Sequence, residues 1–350
     1  MSIQQRFFIL VLIALSGCSN DSVQPSNCAD SIPRPLEMMV LCEGLYGYDN
    51  ASLWGIGNNA SYEVFACRNG RRLGDTANDV VRISDSTCII IVSTSNEIIT
   101  LDKHGTIIHS LQVKGQGHFL KKSCIINDSV IAITDLYADK VYTFDHKHRI
   151  LDSLQIPNLC APDGIAFGLN QLVIANSGYG IFRKDEANAS TIAVYDLNTK
   201  MSRFVKSGIN PQFVSFDSKT HQWMIQYAHL TTLPDSLGGL ILYDEEFDAV
   251  QHFRGQFIGM QYRIGEYRYA LCGKSIVRFH DEGAKLDTIF MNQSRNQWHR
   301  IGLVKSKLYI CNARNYMLPG SIIVLNEAQT QIDQEIPVGI NPNMIIEFSL

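Results

Sequence analysis

From Leu36 onward the apolar residues fall in short runs separated by Gly, Asn, Asp and Pro, and helical periodicity is nearly absent. One run type recurs with a polar stop. It reads "NEIITLD", "DKVYTFD", "STIAVYD", "GGLILYD", "KSIVRFH" and "GSIIVLN", closing at Asp102, Asp145, Asp196, Asp244, His280 and Asn326, with 36 to 51 residues between stops. Before each stands an apolar strand such as "IIIVSTS", "QLVIANS" or "KLYICNA", and after it a turn and an edge-like strand such as "GTIIHSLQV". A further short strand opens each unit, as in "PDGIAFG", "NPQFVSF" and "HRIGLVK". Four short strands per unit of roughly 45 residues is the grammar of a β-propeller blade.

Six such units run from Gly74 to about Ile340. "EMMVLCEG", "ASLWGIG" and "YEVFACRN" near the N-terminus supply three more strands, and "NPNMIIEFSL" at the C-terminus supplies one. Together they predict a seventh blade built from both ends of the chain, which removes the open sheet edge. The expected fold is an all-β, seven-bladed propeller of four-stranded blades.

The first residues follow another pattern. Arg6 precedes "FFILVLIAL", a run suited to a signal h-region and too short to span a bilayer in the mature protein. It ends at Leu15-Ser16-Gly17-Cys18, which resembles the lipobox of bacterial lipoproteins, where the cysteine is acylated and becomes the new N-terminus. The expected organisation is a signal peptide over 1–17, a lipidated tether over 18–35 rich in polar residues and proline, and the propeller over 36–350. Ser19 after the cysteine favours the outer membrane by the same resemblance, with the domain facing the periplasm or the cell surface.

With 350 residues, 45% of them hydrophobic, the domain can bury a sizeable core, and a net charge of −4 gives no pull toward nucleic acid. None of the nine cysteines forms a CxxC or CxxCH, and most lie inside apolar runs. They read as mainly buried thiols rather than as a disulfide framework.

"CEGLYGYDNASLW", "RNGRRLGDTANDVV", "PDGIAFGLNQLVIANSG", "STIAVYDLNTK" and "VGINP" resemble the YncE-like seven-bladed propellers, in particular surface lipoproteins of Bacteroidetes-type bacteria. The resemblance spans nearly the whole domain and speaks for fold more than for function. Asn176 and Asn312 match the family's post-strand asparagine. Its nearest functional precedent is corrinoid capture by BtuG-like propellers, which implies a ligand on one face and a TonB-dependent transporter as partner.

In a propeller, residues just after the second strand and just before the first share one face. That face should gather Glu43, Tyr46, Tyr48, Asn78, Asp79, His118, Asp135, Tyr137, Asp163, Asn176, Tyr179, Gln212, Tyr227, His229, Gln297, Trp298, His299, Asn312, Asn315 and Tyr316. Tyrosines, a tryptophan, amides and imidazoles around one funnel suit a ligand held by stacking and hydrogen bonds. The expected rim set is Glu43, Tyr46, Tyr48, Asp135, Tyr137, Asn176, Tyr179, Tyr227, His229, Trp298, His299, Asn312 and Tyr316, with Cys18 for the lipid. Long loops after "VIANS", "MIQY" and "YICN" point to the same side.

There is no GxSxG elbow, no HExxH and no P-loop, so the chain is not expected to be an enzyme, and no cofactor or metal is expected. Glu43 and Asn176 bear only a faint resemblance to the ligands of metal-dependent lactonases, because a later acidic ligand is missing. The expected function is ligand capture for an outer-membrane transporter; the alternatives are a protein-docking scaffold without small ligand and the lactonase-like hydrolase.

Overall fold

The computed structural model describes residues 36–348, apart from 59, 229–237, 282, 284, 327, 328 and 330. Seven four-stranded antiparallel sheets make up the fold. Numbered from the N-terminus, the blades begin with innermost strands Pro342–Glu347 (blade 1), Ala77–Ser84, Leu120–Ile125, Pro162–Gly168, Pro211–Asp217, Phe257–Ile264 and Gln297–Val304 (blade 7). Blade 1 is closed as the sequence predicts. The C-terminal strand Pro342–Glu347 pairs with Met38–Cys42, which pairs with Ser52–Gly57 and then Ala60–Glu63.

Each interface between adjacent blades holds its own apolar cluster, seven in all. This explains runs such as "CIIIV" that are apolar at every position. Cys88, Ile90 and Val92 pack toward blade 1, while Ile89 and Ile91 pack toward blade 3. A strand covered on both faces loses the polar alternation of a half-exposed sheet.

One element differs from expectation. "YEVFACRN" is a strand only to Glu63, and Val64–Asn69 is a short helix, ended by Gly70 in the left-handed region at φ 64°. Val64 and Phe65 are fully buried in the cluster between blades 1 and 2, so tertiary packing overrides the strand propensity of this segment. Cys42, Cys88, Cys160 and Cys311 are buried free thiols as expected, and Cys124 and Cys272 are free but only half-buried. Cys67 is disulfide-bonded.

Candidate functional site

A repeated backbone clasp defines one face of the propeller. In blades 1 to 6 the first residue after the second strand donates its N–H to the residue before the innermost strand: Glu43 to Asn341, Ser93 to Thr76, Leu136 to Phe119, Ser177 to Ala161, Ala228 to Asn210 and Gly273 to Gln256. Just past the clasp, the innermost strand of every blade slips register against its neighbour. Asn78, Lys121 with Lys122, Asp163 with Gly164, Gln212, Gly259 to Gln261, His299 and Asn343 are the residues at the slips. A bulge re-aims side chains, and here seven of them put polar groups into otherwise apolar strands at one level of the channel.

The upper channel is densely charged. Asp79 Oδ2 accepts hydrogen bonds from Ser123 N and Oγ, both at 2.7 Å, and Asp79 Oδ1 lies 3.5 Å from Lys122 Nζ. Lys122 also donates to the Asn78 carbonyl at 2.5 Å. From blade 7, Arg300 passes Gly259, whose missing Cβ would stand 2.5 Å from Arg300 Cδ; its guanidinium carbon sits 4.8 Å from the Phe213 ring centre. Lys122 Nζ is 5.6 Å from the centre of the same ring. Beside these groups lies a cavity of about 60 Å³ lined by Asp79, Lys122, Gly164, Phe213, Tyr262 and Arg300 among others. Burial raises Asp79 and Asp163 and lowers Lys122 and Arg300, with the opposite charges acting against it.

At the mouth, His299 Nε2 lies 3.7 Å from Glu43 Oε2, an electrostatic contact longer than a hydrogen bond, and the His299 ring meets Tyr316 edge-on at 5.6 Å. Burial lowers His299. Burial works to raise Glu43, but His299, Arg300 and Lys121 outweigh it and hold the carboxyl at about 2.

On the adjoining rim four rings form a ladder. Phe119 and Tyr137 lie 5.0 Å apart between centroids, Tyr137 and Tyr179 5.5 Å, and Tyr179 and Phe182 5.0 Å. Tyr137 and Tyr179 are exposed at 43% and 39%, Phe182 at 74%. The hydrogen bond to Tyr179, then burial, push the Tyr137 hydroxyl up to about 12. The 177–190 loop that carries Tyr179 and Phe182 is tied down. Arg183 makes a bidentate pair with Asp139, both contacts 2.8 Å, and a second pair with Glu186, while Ser177 Oγ accepts the Tyr179 N–H at 3.1 Å.

The expected rim residues separate into two groups. Glu43, Tyr46, Tyr48, Tyr137, Tyr179, His299 and Tyr316 stand on this face, with Tyr46 70% and Tyr48 64% exposed. Asp135, Asn176, Tyr227, Trp298 and Asn312 do not stand on the rim, because the fold uses their side chains inside. Asp135 is fully buried between His118 Nδ1 at 2.6 Å and the Phe119 N–H. Asn176 accepts from Cys160 N and donates to Thr191 Oγ1, each at 3.1 Å. Asn312 Nδ2 donates to Ser321 Oγ, and its Oδ1 accepts the Arg314 N–H. Tyr227 pairs with His252 Nε2 at 2.6 Å, and Trp298 stacks on Phe290 in the core between blades 6 and 7. His229 and Cys18 lie outside the described residues.

Phe119, Lys121, Lys122, Phe182, Arg183 and Arg300 belong to this face and channel without having been expected there. The available signal was a charge inside an opening strand, as in "LKKSCI" and "QWHRIGLV". Among the described residues no group of three or more His, Cys, Asp or Glu is placed to hold a metal ion.

Fold and face together define the class: a closed seven-bladed propeller with an aromatic rim beside a charged channel mouth. No family model matches the chain, and no curated protein does. Solved structures do. A quinonprotein alcohol dehydrogenase-like protein from Bacteroides thetaiotaomicron superposes with a TM-score of 0.67 at 14% identity, covering 89% of this chain and 78% of that one. A putative 6-phosphogluconolactonase from Bacteroides fragilis gives 0.61 at 12%, covering 89% and 98%. Virginiamycin B lyase from Staphylococcus aureus gives 0.60 at 16%, covering 77% and 87%. At these identities the likeness shows the fold alone.

Proposed function

We propose that this chain is a lipid-anchored envelope propeller that captures a ligand with an extended, flat, weakly polar body on the aromatic rim, for delivery to an outer-membrane transporter. The observation that carries the reading is the ladder Phe119, Tyr137, Tyr179 and Phe182. It presents three exposed rings from two adjacent blades, backed by the half-buried Phe119, and the loop that carries Tyr179 and Phe182 is fixed by the Arg183–Asp139 pair. Such rings supply contact area with little conformational entropy to lose. A corrinoid is the ligand implied by the sequence resemblance. The lipobox-like Leu15–Cys18 supports the anchor, and the disulfide at Cys67 is in keeping with an oxidising compartment.

A thermal-shift screen of residues 19–350 against cobalamin, cobinamide, haem, siderophores, oligosaccharides and divalent metals tests the reading. A ligand with micromolar affinity at millimolar dose stabilises the native state by about 4 kcal/mol. The second reading, a protein-docking scaffold, rests on Met317 and Leu318. They stand 60% and 53% exposed beside Tyr316 in the last loop of the same face. Silence across the panel with a captured partner protein would favour it.

A further inference from the structure

We infer that Cys67 is bonded to Cys28, and that this bond staples the N-terminal tether to the flank of blades 1 and 2, toward the side of the ring opposite the aromatic rim. The chain has nine cysteines, of which six are free and Cys67 is disulfide-bonded. Within the chain only Cys18 and Cys28 are left to be its partner. The sulfur of Cys18 carries lipid in the anchor proposed above, so the choice of Cys28 rests on that reading. Position agrees with it. Leu36, where the described chain begins, and Val64, where the helix Val64–Asn69 begins, both reach within 2.8 Å of the point where a Cβ on Gly55 would stand. Their side chains lie side by side there, and Cys67 follows Val64 by less than one helical turn. The eight chain steps from Cys28 to Leu36, each able to span about 3.3–3.6 Å, cover that gap with length to spare.

Two observations set the side of the ring. Asn69, at the end of the same helix, donates from Nδ2 to the Gly105 carbonyl and accepts the Ile107 N–H at Oδ1, both at 2.8 Å. Gly105 lies in the turn after Asp102, whereas Glu97 and the clasp residue Ser93 are at the other end of the blade 2 sheet. The chain also enters the fold on that far side, since Met38 pairs with Glu347 while the clasp residue Glu43 follows the opposite end of the strand. The bond forms when the two thiols give up two protons and two electrons to a disulfide-bearing oxidant of the envelope, which leaves as a dithiol. It cuts the connection between Cys18 and the ring from eighteen chain steps to ten, a reach of about 35 Å instead of about 60 Å. The propeller is thereby held close to its anchor by the flank, and the rim is left free.

The test is a disulfide map of the full chain, isolated from the cell envelope, unfolded with an alkylating agent present and cleaved before aspartate without reduction. Cleavage at Asp21 and Asp30 isolates Cys28 in residues 21–29, and cleavage at Asp49 and Asp75 isolates Cys67 in residues 49–74. These two peptides should appear joined and should separate on reduction. Alkylated Cys28, or Cys67 joined to any other cysteine, would overturn the inference. The same digest reads the anchor on residues 18–20. Lipid there beside an alkylated Cys28 defeats the staple alone, and joined Cys28 and Cys67 beside a lipid-free Cys18 defeat the anchor alone. Cys28→Ser and Cys67→Ser should each lower the melting temperature by about 5 °C, and the double variant by no more than either, because all three lose one bond. An unchanged melting temperature in Cys28→Ser beside a lowered one in Cys67→Ser would equally overturn the inference.

Discussion

The hydroxyls of Tyr137 and Tyr179 lie 3.1 Å apart, although the residues belong to loops of neighbouring blades. Their rings meet edge-on at 5.5 Å. This cross-blade pair converts two separate loops into one surface, and the Arg183–Asp139 pair joins the same two blades a little further along.

Arg183→Ala should therefore loosen residues 177–190 without unfolding the propeller. The side chains are partly exposed, so the loss of stability should stay near 1 kcal/mol or less. Hydrogen exchange should quicken at Gly178, Arg183 and Ala189, whose amides bond within the loop or back to the clasp region. Unchanged exchange would mean that the loop is held by its backbone turns alone.

Scaffold and rim residues should respond oppositely to mutation. Asn176→Ala strips the Cys160 N–H and the Thr191 hydroxyl of a buried partner and should cost about 1–3 kcal/mol. Trp298→Ala opens the core between blades 6 and 7 and should cost about 3–5 kcal/mol. Tyr179→Ala, at an exposed position, should stay within about 0.5 kcal/mol of the native protein. Chemical denaturation of the three variants checks the ordering.

Much of this division was not legible in the sequence. Strand order, blade count and closure by the C-terminal strand follow from repeated runs and turn residues, because packing on both faces leaves a strong apolar signature. The side on which a loop residue stands also follows. Whether a residue on that side points inward does not: Asn176, the last residue of its strand, and Tyr179, in the loop that follows, are three positions apart, yet one is buried and the other is 39% exposed. The channel charges were hidden for another reason. Lys122 and Arg300 look like exposed strand positions until the bulges turn them into the channel.

Closure of the ring should be required for cooperative folding. Deleting the chain after Ile340 removes the strand that pairs with Met38–Cys42 and contributes Ile346 to the cluster between blades 1 and 2. The truncated protein should lose its single sharp melting transition, and a retained native transition would show that seven sheets close without it.

Glu43 and Asp163 should give opposite pH dependences. The folded value of Glu43, about 2, lies below its ordinary 4.5, so its stabilising contribution is complete above pH 4.5 and lost as pH falls through about 2. Glu43→Gln should be less stable than the native protein near pH 6, by at most about 3 kcal/mol, with the gap closing toward pH 2. Asp163 is raised by burial above 3.8, so the fold favours its protonated form and its penalty grows as pH rises through the folded value. Asp163→Asn should accordingly gain stability near pH 7 and none near pH 3 in anion-free buffer. Urea melts across this pH range check both signs.

The most direct test of the central claim is the thermal shift of native protein and Tyr137→Ala/Tyr179→Ala, residues 19–350, across the corrinoid, haem, siderophore and oligosaccharide panel. At least one saturable ligand should stabilise the native protein and stabilise the double variant far less, from equal starting melting temperatures. A ligand that shifts both proteins equally would place the site away from the ladder, and no shift with any ligand would contradict ligand capture by this face.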